Sequence, residues 1–233
     1  MKAVHQIVNG LTQLFFPHTC AGCGSDLLGN DNLICIQCLA NLPETNFAGH
    51  TNNPVEKIFW GRIPVKAAMT GFYFSKHAII QTLIHQLKYK GNKEIGVFLG
   101  NRLGLQLKEA NRFNQIDAII PLPLFPDKQK RRGYNQASVI ADGISEIISA
   151  PVWNNIITRR VYTDTQTHKG RIDRWQNVKE SFDLLNSELI QNKHLLLVDD
   201  VITTGATTEA CGSVLLSANN IQLSIAALAY ATD

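Results

Sequence analysis

The sequence predicts an α/β fold: a mostly parallel sheet with helices on both faces, preceded by an N-terminal helix and a small four-cysteine module. Three observations carry this. From about Pro64 onward, segments that read as strands alternate with segments that read as helices, the order of a parallel sheet closed by crossover helices. Strand-like stretches such as "IDAII" and "HLLLV" are apolar without alternation, as strands covered on both faces must be. Four of the five cysteines fall between Cys20 and Cys38, in two C-x-x-C pairs.

The 233 residues suffice for one good core and a small appendage. A formal charge of +3 is too small to indicate nucleic-acid binding by itself, so local basic clusters must decide that question. No apolar run approaches the roughly 20 residues that span a bilayer. The opening "MKAVHQIVNGLTQLFF" is interrupted by His5, Gln6, Asn9, Thr12 and Gln13, which makes it a poor signal peptide. It reads as an amphipathic helix with Val4, Ile7, Val8, Leu11, Leu14 and Phe15 on one face. A cytoplasmic protein is expected.

In chain order, residues 1–45 hold this helix and the cysteine module. Cys20 and Cys23 are followed, after eleven intervening residues, by Cys35 and Cys38. In a cytosolic chain such a cluster points to metal rather than disulfides. Two tight C-x-x-C turns supply the four-sulfur shell of a structural zinc site and leave no open position for catalysis. Cys211 stands alone in an apolar helix and is expected in the core. Residues 46–64, rich in Asn, Gly and Pro, read as a connection. Residues 65–233 form the main domain. Strands are expected at "VKAAMTGFYF", "IDAIIPLPL", "VWNNIIT", "HLLLVDD" and "IQLSIAALAYA", and helices at "AIIQTLIHQLKY", "GVFLGNRLGLQLKEA", "NQASVIADGISEII" and "TTEACGSVLLSA". Sites in such folds lie at the carboxyl ends of the strands.

Asp199 and Asp200 stand at one of those ends, and "TTGATT" then opens a helix. The first amides of a helix lack internal partners and form an anion site. Gly205 lets backbone approach a ligand, and the hydroxyls of Thr203, Thr204, Thr207 and Thr208 offer further donors. Carboxylates that accept from hydroxyls or hold a hydrated metal, beside a phosphate-binding loop, suit a ribose 5-phosphate. A plain helix cap would explain one threonine and one aspartate, not the run. The chain has neither G-x-x-x-x-G-K-[ST] nor a G-x-G-x-x-G after a strand, which argues against P-loop and dinucleotide sites.

The stretch "LLLVDDVITTGATT" closely resembles the phosphoribosyl diphosphate (PRPP) signature of type I phosphoribosyltransferases. The resemblance implies that fold, with Asp199 and Asp200 addressing the ribose hydroxyls and Thr203, Thr204, Gly205, Ala206 and Thr207 cradling the 5-phosphate. Thr203 stands where purine-salvage members usually carry an aspartate, which lowers the weight of purine-base salvage. Two further segments, "PLPLFPDKQKRRGYNQA" and "TQTHKGRIDRWQNVKESF", together with "LKYKG" and the cysteine module, resemble the ComF family of competence-associated proteins. That family joins a zinc ribbon to a phosphoribosyltransferase domain, and the resemblance covers nearly the whole chain. Lys169 departs from it, where many members have leucine.

By this resemblance a basic loop with Arg131, Arg132, Gly133, Tyr134 and Asn135 faces pyrophosphate, and residues 160–177 close over the site with Gln166, His168, Lys169, Arg171 and Arg174. Phosphoribosyl transfer develops positive charge on the sugar while pyrophosphate departs, so Mg²⁺ and placed cations are expected. A glutamine-dependent amidotransferase needs a glutaminase domain with a catalytic cysteine, which "MKAVHQ" does not supply. Ammonia or another amine remains open as acceptor. Two other functions compete with the enzyme. One is single-stranded DNA handling with competence proteins, for which "HQLKYKGNK" and "KQKRRGYN" offer cations with few adjacent aromatics. The other is a PRPP-sensing regulator without turnover.

Overall fold

Strand β5, His194–Ile202, is the centre of the molecule. Leu195 through Val198 are each fully buried, because sheet neighbours flank the strand and helices cover both its faces. The computed structural model describes residues 19–26, 32–76, 78–160 and 182–231. The amphipathic helix expected near the N-terminus lies outside them.

The main sheet contains β1 (Ala67–Phe74), β2 (Ala118–Pro121), β5 and β6 (Gln222–Ala231), in the order β1-β6-β5-β2. All three pairings are parallel. Between the strands run α3 (Ile79–Tyr89), α4 (Lys93–Glu109), α6 (Gln136–Ile148), the single-turn α7 (Ser187–Ile190) and α8 (Ala206–Leu215). The fold class is therefore the expected one, and these elements, α7 apart, fall within a few residues of their expected places.

Two expectations need correction. "VWNNIIT" is not one strand. Val152 makes a single parallel bridge to Ile119, and the chain then turns at Asn154 and Asn155. The Asn155 carbonyl accepts from Asn186 Nδ2 at 2.7 Å, and Ser138 Oγ bonds Asn154 Oδ1 at 2.8 Å. After the turn β3 (Ile157–Arg159) leaves the main sheet and pairs antiparallel with β4 (Phe182–Leu184). The basic stretch after β2 is also not a loop. It forms helix α5, Pro126–Arg132. Proline in the first turn, Asp127 beside it, three cations in the last turn and Gly133 at φ 81° as C-cap are each favourable at their ends of a helix.

Residues 46–64 carry a 3-10 turn (Phe47–Gly49) and helix α2 (Pro54–Phe59). Phe47, Val55 and Phe59 are buried in the same cluster as the sheet. Asn53 caps α2 through Val55 N at 3.0 Å and donates to Ala68 O at 2.8 Å, which ties the segment to β1. Helices α4 and α6 meet at very close range. A Cβ on Gly100 would lie 2.3 Å from Ile140 O, and one on Gly143 would lie 2.3 Å from Val97 O.

The cysteine module packs beside α3. It contains the short helix α1, Ile36–Ala40. Gln86 Nε2 on α3 donates to Ala21 O at 2.5 Å. A Cβ on Gly22 would meet both Cys38 Sγ and Ile79. Among the described residues no helix is long and apolar enough to cross a membrane.

Candidate functional site

The carboxyl end of β5 carries Asp199 and Asp200, both half-buried. Asp199 Oδ1 accepts from Asp200 N at 2.7 Å, and Asp199 Oδ2 accepts from Thr208 Oγ1 at 3.4 Å. Burial, and then the neighbouring Asp200 charge, push the Asp199 carboxyl up to about 7. Asp200 has a partner that the sequence did not reveal: Lys88 Nζ, at the end of α3, lies 2.8 Å from its Oδ2.

The loop after the aspartates turns through Gly205 at φ 73°, and α8 begins at Ala206. A side chain at Gly205 would be strained by that φ, and its Cβ would lie 2.5 Å from Ile58 Cγ2. The glycine is thus demanded by packing against α2 as well as by the turn. The first helical bond shown is Glu209 N to Gly205 O at 2.8 Å, so the amides of Ala206, Thr207 and Thr208 precede the helical ladder. Thr203 and Thr204 are exposed and Thr207 is half-buried. Thr208, counted among the loop's hydroxyl donors in the sequence, is instead buried and turned to Asp199. Arg62 braces the loop from outside: its Nη1 donates to Thr204 O at 3.0 Å and pairs with the buried Glu209 at 3.4 Å.

The residues read as facing pyrophosphate sit at the end of α5 and the start of α6. Arg132 donates to Gln136 Oε1 at 2.5 Å and stands 5.4 Å from the Tyr89 ring centre. The Tyr134 hydroxyl donates to Leu87 O. Asn135 caps α6 through Ala137 N at 3.1 Å and donates to Leu122 O at 3.0 Å. Arg131 and Gly133 are exposed. Lys130, Gly133 and Asn135, with Asn155 and Leu185 opposite, wall a cleft of about 700 Å³. Asp199, Asp200 and residues 203–207 do not line that cleft.

Gln166, His168, Lys169, Arg171 and Arg174 lie outside the described residues, between β3 and β4. At the root of that segment Arg159 was missed from sequence. Its guanidinium sits 3.7 Å from the Phe125 ring centre and 5.2 Å from that of Phe182. Burial lowers its pKa, and the Asp199 charge works the other way. "TRR" offers no local signal that one arginine turns inward. Cys211 is fully buried, as expected, and burial pushes its thiol up.

In the cysteine module the sulfur atoms of Cys20, Cys23, Cys35 and Cys38 all lie within 4.8 Å of one another. Cys23 and Cys35 are 3.8 Å apart, the edge of a tetrahedron about 3.8 Å across built on a Zn–S bond of about 2.3 Å. Cys35 N donates to Cys20 Sγ at 3.2 Å and Cys38 N to Cys35 Sγ at 3.4 Å. Burial opposes a thiolate at Cys20, but surrounding amides bring its pKa down to about 6. The cluster fits a four-sulfur zinc site.

The chain matches no protein-family model. It is 30% identical to Competence protein F of Haemophilus influenzae over 86% of this chain and 92% of that one. It is 32% identical to DNA utilization protein YhgH of Escherichia coli O157:H7, over 80% and 79%. Competence protein ComFC of Bacillus subtilis is 30% identical over 42% of this chain and 38% of its own. Among solved structures, the purine phosphoribosyltransferase of Pyrococcus horikoshii Ot3 overlays with a TM-score of 0.38 at 16% identity, over 58% of this chain and 83% of that one. The glutamine PRPP amidotransferase of B. subtilis overlays at 0.40 and 18%, over 60% and 30%. Those overlays are loose, and the fold rests on the strand order itself.

Proposed function

This chain belongs to the ComF family, and from that premise we propose that it binds PRPP at the end of β5 and transfers the phosphoribosyl group to ammonia, another amine or a related acceptor. One observation carries the reading: two adjacent carboxylates at a strand end run directly into a helix start that presents free amides and exposed threonines. Asp199 and Asp200 take the ribose hydroxyls, and Thr203, Thr204, Gly205, Ala206 and Thr207 take the 5-phosphate. Arg131, Arg132, Gly133, Tyr134 and Asn135 address pyrophosphate. Tyr134 and Asn135 shape that turn through their own hydrogen bonds, and exposed Arg131 is the charge free to reach a ligand. Gln166, His168, Lys169, Arg171 and Arg174 belong to the segment that closes on the ligand. Mg²⁺ supplies charge neutralisation for the departing diphosphate. One zinc ion holds the cysteine module.

Pyrophosphate release from PRPP in Mg²⁺, against a panel of bases and amines, tests the proposal. Turnover with any acceptor supports it. Tight PRPP binding without release converts the reading to a PRPP sensor, and no binding of either kind removes it.

A second reading, contact with single-stranded DNA, is favoured by one juxtaposition. The Tyr134–Leu87 bond and the Arg132–Tyr89 stack bring the two basic stretches together. Tyr89 is 66% exposed beside them. Exposed aromatics among cations are what single strands stack on. Binding of a fluorescent oligonucleotide that falls steeply with salt and is weakened by Tyr89→Ala supports this role. Salt-independent or Tyr89-independent binding counts against it.

A further inference from the structure

The acidic pair already holds a cation. Lys88 Nζ stands 2.8 Å from Asp200 Oδ2, and the two side chains are 21% and 16% exposed. The lysine is not a swinging surface chain. Its helix is tied at Gln86 to the cysteine module and at Leu87 to Tyr134, so its backbone is fixed on both sides. Around the other carboxylate stand the Thr208 hydroxyl and the Asp200 amide. With Lys88 against Asp200, the pair carries less net negative charge than two free carboxylates would.

A bare divalent ion therefore does not fit this pair. It would have to displace an ammonium from Asp200, in a setting where that contact is only partly screened. We propose that Lys88 is the resident counter-cation of Asp200, and that it excludes free divalent metal so that metal enters only as a complex with a polyanionic ligand. The lysine holds the Asp200 carboxylate oriented as an acceptor for a sugar hydroxyl. It also makes the site select a metal-bound sugar diphosphate over the metal alone. This rests on reading the strand end as a sugar-phosphate site, but its test does not.

The experiment is a Mn²⁺ titration of the full chain, followed by electron paramagnetic resonance of the free ion, on the parent, Lys88→Met, Lys88→Gln and Lys88→Arg. Thermal melts check that each folds. Removing a unit charge at this range is expected to tighten Mn²⁺ binding about tenfold or more in the Met and Gln variants. Lys88→Arg should behave as the parent, and Asp200→Asn in the Lys88→Gln background should abolish the gain. Neutral variants that bind Mn²⁺ no better than the parent overturn the proposal, as does a parent that already binds it tightly. If Lys88→Met fails to fold, the Gln variant decides. Ribose 5-phosphate titrated into the parent is a separate measurement: its failure removes the sugar-phosphate reading and leaves the Mn²⁺ result standing.

Discussion

Lys88 and Asp200 form an ion pair across the molecule, from the last turn of one helix to the end of the central strand. The pair makes the two adjacent aspartates unequal. Asp200 is held by a cation, while Asp199 is turned toward Thr208 and loses charge stability to burial.

That asymmetry sets a first expectation, for ligands. Asp200→Asn keeps shape and removes one charge. It should weaken ribose 5-phosphate by roughly ten- to a hundredfold, the loss of one charge-assisted hydrogen bond. Sulfate, which needs the loop and not the carboxylate, should bind as before. Calorimetry with both ligands reads the difference. Equal binding of ribose 5-phosphate by parent and variant would remove Asp200 from the site.

A second expectation concerns pH. An unfolded aspartate titrates near its model value of 3.8, and folded Asp199 titrates at about 7. The folded chain therefore holds the extra proton between these values, and stability falls as pH rises through that window. Asp199→Asn removes the penalty. It should match the parent near pH 4 and gain by roughly 1–3 kcal/mol above pH 7, less than the full shift because Lys88 and solvent screen the charge. Urea melts at several pH values test this, and a gain independent of pH would contradict it.

Zinc gives a third. Metal analysis of the purified chain should find about one zinc per molecule, since a four-cysteine shell binds one ion. Cys38→Ser should lower that content sharply. Because Gln86 joins the module to α3, it should also raise protease sensitivity near residues 19–45. A chain with an intact module and no zinc would refute the assignment.

The α4–α6 contact yields a fourth. Gly100→Ala places a methyl 2.3 Å from a backbone carbonyl, where nothing flexible can give way. A cost of about 2–4 kcal/mol is expected. Gly49→Ala meets nothing within 4 Å and should change stability by less than about 0.5 kcal/mol. Similar melts for the two would show that the helices can separate freely.

How much of this was legible in sequence depends on range. "LLLVDD" showed itself as a buried strand with a charged end, because a continuous apolar run admits few alternatives. The helix in "PDKQKRR" has its end signals in Pro126, Asp127 and Gly133, but it buries no residue and so shows no apolar face to tell it from a charged loop. Strands β3 and β4 have three residues each, too few for a period. Lys88 lay in "LKYKG", a stretch already singled out, but its pairing with Asp200 could not be read, and Arg159 and Arg62 carried no signal at all. Lys88 and Arg62 reach the site from distant segments, and no local pattern says which of many cations does so. Gly205 was read for the ligand alone. Its contact with Ile58 means that Gly205→Val would disturb folding as well as binding, so it cannot separate the two halves of the site.

Arg62 can probe the loop half instead. Its Nη1 holds the Thr204 carbonyl from outside, away from the amides at the start of α8. Arg62→Ala would leave every proposed ligand contact in place and free the loop that presents them. Both sulfate and ribose 5-phosphate should then weaken together, by about two- to tenfold for one lost hydrogen bond. The variant also strands buried Glu209 without its partner, so a stability loss of about 1–3 kcal/mol should accompany it. Arg62→Lys restores the charge without the paired geometry and should recover stability more than affinity. Parallel loss of the two ligands in Arg62→Ala, beside selective loss of the sugar phosphate in Asp200→Asn, is the pattern a two-part ribose–phosphate site requires. Unchanged sulfate binding in Arg62→Ala would mean that the amides at Ala206–Thr208 hold their anion without the brace.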